Sequence, residues 1–405
     1  MGYRAFMAFV AAILLVAPLM PAAGDDGATK KIIGEITPGA VEYYLSNLER
    51  FGVRYTGSEE CRRAEEWVYE KFESMGLDVE YHEWKMSGFE DRNIVATLKG
   101  EDNYTIIIGA HIDAVPTSPG ADDDGSGVAV VMTIARILSH YHFLHTLKFI
   151  IYTGEEEGTY GSYSYAMDAY AKGEKIIGVY NLDMVGYAET EKGGKYIRIF
   201  ETERGKNLTD LVINTAEKYH DLIGLNVERV PNYPGSDHEA YIDYGYDAIF
   251  IAHYDSYPYG HSPEDSIDKI NFTYAAKVAK LFAAVMAEMG DKQIKTYVEI
   301  KEPKEGYLYI FSRPIIPIIV RTWYLGMRGI TVIIGHVNVV AEVDGDVDKV
   351  IFAMDDRMWK WVYSPPYEWT VNSFAFGKHY IKVYAYGDEV ARDEMDILAF
   401  IPYIP

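Results

Sequence analysis

Histidine and carboxylate side chains recur in short segments of this sequence, each directly after an apolar stretch. His111 and Asp113 follow the isoleucine-rich stretch 106–110, and three adjacent aspartates stand at 122–124, before a glycine-rich turn. Three glutamates at 155–157 and a single Asp183 follow two further apolar stretches. Carboxylates that crowd together raise one another's pKa unless a cation lies between them. The set therefore predicts a site for divalent metal, with two ions rather than one.

Each of these segments, taken alone, also has an ordinary structural explanation. Aspartates at the start of a helix cap free N–H groups and interact well with the helix dipole, and a run of glutamates is usually a solvated acidic turn. Between Gly154 and Gly158, however, neighbouring glutamates can point in different directions, so that one binds metal while the next accepts a proton. Cys61 is the only cysteine, so a metal site here must use histidine and carboxylate, and no intrachain disulfide is possible.

The apolar periodicity predicts which elements carry these segments. Helical spacing indicates two helices within 36–75 and later helices at 128–138, 162–171, 208–220 and 271–289. Alternating or continuously apolar runs predict strands at 77–84, 93–98, 104–109, 147–153, 176–182 and 247–252. A strand, a carboxylate, a glycine and a helix follow one another three times. We therefore expect an α/β fold with a mostly parallel or mixed central sheet flanked by helices, whose strand ends bring the polar groups to one edge.

The composition changes from about residue 302 onward. Short β-rich runs at 307–311, 331–343, 349–354 and 380–386 alternate with Gly, Pro and Asp turns, and they predict a small all-β sandwich at 300–405. This texture, together with Trp359, Trp361 and Trp369, resembles immunoglobulin-like modules without the disulfide. A spacer or stabilising role is favoured over adhesion or substrate presentation.

The first residues predict export. Arg4 precedes an apolar run at 5–20, and small residues end at Gly24 before two aspartates. This layout is typical of a secretory signal peptide at 1–24, with a retained N-terminal anchor as the alternative, so we expect a secreted or cell-surface protein without stable membrane insertion after cleavage. The net charge of −23 argues against nucleic acid or an anionic membrane as a partner.

Five ordered motifs carry a resemblance to a known family: HID, PGADDDGSG, GEEEGTYGS, NLDMVG and HSPEDS, with Arg54-Tyr-Thr-Gly57-Ser58 ahead of them. Over about 37–290 the chain resembles metallopeptidase family twenty-eight, the co-catalytic di-zinc aminopeptidases, with a zinc-exopeptidase domain expected at 30–295. The resemblance implies that one zinc is bound by His111 and Asp183 and the other by Glu156 and His261. It also implies that Asp123 bridges the ions, that Glu155 is the general acid/base, and that Asp113 orients His111.

Some positions in the motifs leave alternatives open. The additional Glu157 makes the register of the glutamates ambiguous, and we fix it by counting back from Gly161. His238, His253 and His261 compete for the last ligand position, and only His261 begins a His-Ser-Pro-x-Asp pattern. We expect His238 and His253 to be structural, although His238 is also a candidate for lining the pocket. Some family members have tyrosine before the last histidine where this chain has Gly260, which leaves Tyr259 as the candidate for polarising the scissile carbonyl.

Together these observations predict an exported zinc aminopeptidase that acts on peptides through a two-zinc site. A carboxypeptidase or a glutaminyl cyclase of the same fold is the alternative within the resemblance. A non-catalytic adhesion or binding protein on this scaffold is the alternative from another class. The sequence does not determine side-chain preference, the native metal or the oligomeric state.

Overall fold

The computed structural model describes residues 26–202, 204–318 and 331–402. The predicted signal peptide at 1–24 lies outside the described residues. Within 26–202, 204–318 and 331–402, no helix combines the length and apolar character that crossing a membrane requires. The helices are α1 (Asp26–Glu35), α2 (Pro38–Leu48), α3 (Glu59–Ser74), α4 (Gly125–Leu138), α5 (Tyr160–Lys172), α6 (Lys206–Lys218), α7 (His220–Ile223), α8 (His238–Asp243) and α9 (Phe272–Gly290).

Eight strands form the central sheet, in the order β1-β2-β4-β3-β5-β8-β6-β7. Strands β4, β3, β5 and β8 run parallel to one another, whereas β1, β2 and β6 make antiparallel pairs. The predicted α/β fold with a mixed sheet is therefore confirmed. The strands are β1 (Asp78–Met86), β2 (Phe89–Leu98), β3 (Tyr104–His111), β4 (Thr146–Tyr152), β5 (Lys175–Leu182), β6 (Tyr196–Glu201), β7 (Asn226–Pro231) and β8 (Ala248–His253).

Strand β3 lies at the centre of this layer and is buried along its whole length. Ile106 and Ile108 pack into the core that α4 and α9 share, whereas Ile107 packs into the core on the other face with residues of α5 and α8. Successive side chains of a strand point to opposite faces, so helices on both faces require a strand that is apolar at every position. The isoleucine run satisfies this requirement, and the nearly all-apolar α4 is buried against the sheet as its sequence predicts.

The carboxyl ends of the parallel strands meet at one edge of the sheet. Strand β3 ends at His111, β4 ends just before the glutamate segment 155–157, and β5 ends just before Asp183. This edge is where open α/β sheets bind ligands.

Several elements differ from the sequence prediction. Helix α1 and strands β6 and β7 were not predicted, because their apolar residues are few and are interrupted by charged ones. The predicted strand 331–343 is two strands that belong to different sheets. The chain turns between them at Gly335, whose φ of 81° lies in the region that glycine adopts most easily.

The C-terminal region is all-β, as predicted. A seven-stranded sheet in the order β11-β10-β12-β18-β17-β14-β15 and a three-stranded sheet in the order β16-β13-β9 share one apolar core that includes Val339, Phe352 and Val383. Two sheets around one core agree with a sandwich, while the immunoglobulin-like type stays a prediction. The strands are β9 (Thr296–Glu302), β10 (Tyr307–Ile310), β11 (Arg313–Pro317), β12 (Thr331–Ile334), β13 (Val337–Gly345), β14 (Val347–Met354), β15 (Met358–Val362), β16 (Glu368–Val371), β17 (Ala375–Gly387) and β18 (Val390–Ile401).

Two of the tryptophans that suggested an immunoglobulin-like core lie outside it. Trp359 and Trp361 are 42% and 48% exposed on β15. Trp369 on β16 packs against the core. The tryptophan pattern therefore reflects an outer surface as much as a core.

Candidate metal centre

Asp123 lies between two histidines that come from distant parts of the chain. Its Oδ1 is 3.4 Å from Nε2 of His111, and its Oδ2 is 3.1 Å from Nε2 of His261. The two oxygens of one carboxylate thus face two different imidazole nitrogens. This is the arrangement in which a carboxylate can bridge two metal ions.

The other predicted ligands complete two clusters of candidate metal ligands beside Asp123, which we call the metal-type clusters. Oε2 of Glu156 is 3.1 Å from Nε2 of His261, and Oδ1 of Asp183 is 3.7 Å from Nε2 of His111. Candidate ligand atoms of Asp123, Glu156 and His261 all lie within 4.8 Å of one another, and so do those of His111, Asp124 and Asp183. The structure therefore brings together all five side chains that were predicted as metal ligands.

Three atoms in these clusters are buried without a hydrogen-bond partner among the described residues: Nε2 of His111, Oε1 of Glu156 and Oδ1 of Asp183. A buried polar atom without a partner is costly. Burial, with the nearby carboxylate of Asp123, also raises the pKa of Glu156 to about 8. Imidazole and carboxylate donors of this kind suit zinc, so these residues fit a pair of divalent cations.

Asp124 has a structural role that accounts for its place beside His111 and Asp183. Its Oδ1 accepts hydrogen bonds from the amides of Gly127, at 2.9 Å, and Met184, at 3.1 Å, and its Oδ2 accepts one from the amide of His111, at 3.2 Å. It is the N-cap of α4. The helix-capping explanation of the three aspartates therefore applies to Asp124.

Asp113 positions the glutamate segment. Its carboxylate accepts hydrogen bonds from Oγ1 of Thr56, at 2.8 Å, and from the amides of Glu155 and Glu156, at 3.3 and 3.2 Å. Nδ1 of His111 lies 3.1 Å from the carbonyl oxygen of Asp113 and 3.7 Å from its carboxylate. Asp113 thus contacts His111 mainly through its backbone, and its carboxylate holds the two glutamates.

Glu155 lies beside the clusters without belonging to either of them. Its Oε2 is 4.0 Å from Nε2 of His111. Burial, with the carboxylates of Asp183 and Asp237, holds the pKa of Glu155 well above its usual value. A carboxylate that is free of the ligand sets and has a raised pKa is suited to accept a proton.

His238 and His253 make structural contacts. Nε2 of His238 is 3.0 Å from Oδ1 of Asn232, its ring stacks on Phe250, and burial lowers its pKa to about 3. Nε2 of His253 is 3.0 Å from Oδ2 of Asp122. Neither histidine belongs to the two clusters of candidate ligands, and the structural role of both stays a prediction.

The structure also shows positioning residues that the sequence analysis did not assign. The buried guanidinium of Arg54 donates to the carbonyl oxygens of Ile112, Pro119 and Gly120, each at 2.8 Å. It therefore fixes the loop that precedes the three aspartates. The quoted segment Arg54-Tyr-Thr-Gly57-Ser58 contained this signal, but nothing local in it predicts a partner more than fifty residues away.

Asp265 and Ser236 complete this support. The carboxylate of Asp265 accepts from the amides of Asp122 and Asp123, at 2.8 and 3.3 Å, and Oγ of Ser236 donates to Oδ2 of Asp183 at 2.6 Å. Tyr259 packs edge-on against Tyr187 and Tyr257. Its role at the scissile carbonyl stays a prediction.

Comparison with known proteins agrees with this geometry. The profile of peptidase family M28 matches residues 93–286, a span that contains all five predicted ligands and Glu155. Leucine aminopeptidase 1 of Ajellomyces capsulatus is 26% identical over 285 residues, which are 64% of this chain and 73% of the relative. The crystal structure of LapB from Legionella pneumophila is 25% identical with a TM-score of 0.61, over 67% of this chain and 77% of that one.

A further solved structure shares the fold at lower identity. BSAP, a zinc aminopeptidase from Bacillus subtilis, is 17% identical with a TM-score of 0.57, over 64% of this chain and 96% of that one. The likeness thus lies in the α/β part of the chain, where the profile matches and the metal-type clusters occur. The chain resembles peptidase family M28 over residues 93–286, and it is a peptidase.

Proposed function

We propose that the protein is an exported aminopeptidase that removes N-terminal residues from peptides with a two-zinc site and a glutamate general base. The observation that carries this proposal is the position of Asp123, with one carboxylate oxygen toward His111 and the other toward His261. In this assignment His111 and Asp183 hold one ion, and Glu156 and His261 hold the other.

The residues of the chain divide the chemical work between them. When bound, two divalent ions supply an acidified water and stabilise negative charge on the attacked carbonyl. Glu155 would accept a proton from the attacking water at its carboxylate and pass it to the departing amine. Asp113 keeps Glu155 and Glu156 in place through their amides, so that binding and proton transfer stay with separate carboxylates.

Action at the amino end is supported by the comparison, since the curated relative is named a leucine aminopeptidase. Two ions would also leave room to anchor the free α-amine of a peptide substrate. The ions would balance the charges of Asp123, Glu155, Glu156 and Asp183, so these carboxylates do not by themselves select one end of the peptide.

Aminoacyl-nitroanilides, assayed beside N-blocked peptides with and without a chelator, test the proposal. We expect hydrolysis of the nitroanilides, loss of activity with chelator, recovery with zinc, and two zinc ions per chain by elemental analysis. Hydrolysis of blocked peptides alone would indicate a carboxypeptidase. Cyclisation of N-terminal glutamine without hydrolysis would indicate a glutaminyl cyclase, and no turnover with any substrate would indicate a binding protein.

Export is tested separately. Expression of the full sequence in a secreting host, followed by sequencing of the mature N-terminus, should give a chain that begins after Gly24. A product that keeps residues 1–24 and sediments with membranes would support the retained anchor.

A further inference from the structure

The C-terminal region exposes an unusual amount of apolar surface. Of the fourteen large apolar side chains that are well exposed in the described residues, ten lie at or after Phe311. The α/β part is the larger part of the chain but contributes only four. Contiguous apolar patches on soluble proteins mark interaction surfaces, so this concentration calls for a partner.

Many of these side chains share one face of one sheet. In the seven-stranded sheet, the side chains that alternate with the core residues point outward. We call the outward side of this sheet the outer face. Its apolar members are Leu308, Ile310, Ile316, Val332, Ile334, Ile351, Trp359, Trp361, Phe376, Tyr380, Tyr384, Leu398 and Phe400.

Apolar side chains of the outer face are exposed on several of its strands. Phe376 is 72% exposed on β17, Ile316 is 52% exposed on β11 and Ile334 is 40% exposed on β12. On the opposite edge strand, Trp359 stacks on Tyr384 with ring centroids 6.4 Å apart. Apolar exposure thus extends from one edge of the sheet to the other.

The size of the outer face matches what a stable protein interface needs. Seven strands ~4.8 Å apart, with about seven residues each at ~3.3 Å per residue, give a footprint on the order of 700 Å². A standard interface buries about 800 Å² on each partner. The whole face is therefore large enough for one isologous contact, and a small ligand would cover only part of it.

Charge on the outer face is mixed, which favours a copy of the same face as the partner. Lys378 and Lys382 of β17 lie beside Glu394 and Asp396 of β18, and Lys382 is directly opposite Glu394. A two-fold axis through this strip places the cations of one copy near the anions of the other, so the face is self-complementary.

Other occupants fit this face less well. A lipid surface would take the charged groups of Lys378, Lys382, Glu394 and Asp396 out of water and offer them no further partners, which is unfavourable. A polysaccharide would find ring surfaces at Trp359 and Trp361, but the half formed by Ile316, Ile334 and its neighbours offers it no hydrogen bonds.

We propose that the protein forms a symmetric dimer in which the outer face of the C-terminal seven-stranded sheet packs against the same face of a second copy. The dimer leaves the metal-type clusters of each chain in its own α/β sheet. It gives the C-terminal region the role of an assembly module.

Light scattering and sedimentation of the full chain over a range of concentrations test this proposal. We expect twice the chain mass for the natural protein and the single chain mass for the double variant Ile334→Glu with Phe376→Glu. The control is Tyr43→Glu with Leu222→Glu, which changes two similarly exposed residues of the α/β part and should stay dimeric. Hydrolysis of aminoacyl-nitroanilides and circular dichroism report whether each variant is folded, and Trp361→Ser serves as a milder second variant.

A natural protein that stays monomeric at every concentration would overturn the proposal, as would a dimer that survives both outer-face variants. The same samples are then mixed with vesicles of anionic phospholipid and with insoluble neutral polysaccharide. A monomeric protein that sediments with either one, and loses this binding in the double variant, would overturn the dimer and assign the face to lipid or to sugar.

Discussion

Glu155 and Glu156 are neighbours in the sequence but face different chemical environments. Glu156 lies against His261 in one metal-type cluster, whereas Glu155 is held beside the clusters with a raised pKa. The side chains of consecutive residues can separate in this way because the segment follows the end of β4, and Asp113 accepts hydrogen bonds from both of their amides. The sequence motif alone fixes neither role, since three adjacent glutamates are equivalent in composition.

Replacement of Glu155 tests this division directly. We expect Glu155→Gln to retain two zinc ions and to lose about 10²–10⁴-fold in kcat, because only the proton acceptor is removed. Elemental analysis and hydrolysis of aminoacyl-nitroanilides measure the two quantities on the same sample. The matched control is Glu157→Gln, one position from Glu156 in the same segment, which should keep most of the activity. Near-normal turnover in Glu155→Gln would show that another group accepts the proton.

Metal binding should release protons at this site. Hydrogen bonding to Asp123 and the nearby carboxylate of Glu156 raise the pKa of His261 to about 9, and burial raises the pKa of Glu156 to about 8. Without metal, both groups therefore hold a proton near pH 7, and a cation must displace it. Zinc affinity should thus rise with pH until both groups have lost their protons.

Calorimetric titration of the chelator-treated protein with zinc measures this release. Near pH 7 the observed heat should change with the ionisation enthalpy of the buffer, because protons leave Glu156, His261 and also His111, whose pKa is held well above its usual value. The dependence should shrink as the pH is raised above the pKa of His261. Heat that is independent of the buffer near neutral pH would show that these groups are already deprotonated before metal binds.

The secondary-structure elements differ in how well their own sequence predicts them. Strands β3, β4 and β5 and helix α4 are apolar at nearly every position, and burial on all sides is the only environment that suits such segments. Strands β6 and β7 could not be predicted in this way, because both are short and carry charged residues, and β7 is the edge strand of the sheet. The meeting of the five ligands could be predicted from the topology, because the carboxyl ends of parallel strands lie at one edge of the sheet.

The support around the ligands was not predictable by the same reasoning. Arg54 and Asp265 act on backbone groups of the aspartate loop from positions more than fifty residues away in the chain. Their partners are carbonyl and amide groups, which every residue has, so no pairing of side-chain types reveals them. Only the folded arrangement shows that two charged residues hold one loop.

Asp124 links helix α4 to two strand ends, and its removal should be costly. We expect Asp124→Ala to lower the free energy of unfolding by about 2–4 kcal/mol, because the buried amides of His111, Gly127 and Met184 lose their acceptor. The control is Ser58→Ala at the start of α3, where one amide loses its cap and about 1 kcal/mol is expected. Urea titrations followed by circular dichroism compare the two variants. Equal losses would show that Asp124 is no more than an ordinary cap.

The α/β part and the C-terminal β region meet at an ion cluster around Arg204. Its guanidinium donates to the carbonyl oxygens of Gly245 and Glu394 and contacts Asp393 at 2.9 Å and Asp247 at 3.3 Å. Gly245 and Asp247 precede β8 of the central sheet, whereas Asp393 and Glu394 belong to β18. One side chain thus joins the last parallel strand of the central sheet to the long strand of the C-terminal sheet.

The molecule as a whole should depend on this contact. We expect Arg204→Met to lower the free energy of unfolding by about 3 kcal/mol, because it leaves Asp247 and Asp393 partly buried without their counter-ion. The control is Arg229→Met, whose exposed pairs with Glu201 and Asp210 should contribute at most about 1 kcal/mol. Tryptophan fluorescence during urea titration reports on both parts of the chain, through the buried Trp84 of the α/β part and through Trp369 of the C-terminal region. Unfolding of both variants at the same urea concentration would contradict this prediction. It would show that the ion pairs of Arg204 do not stabilise the contact between the two parts.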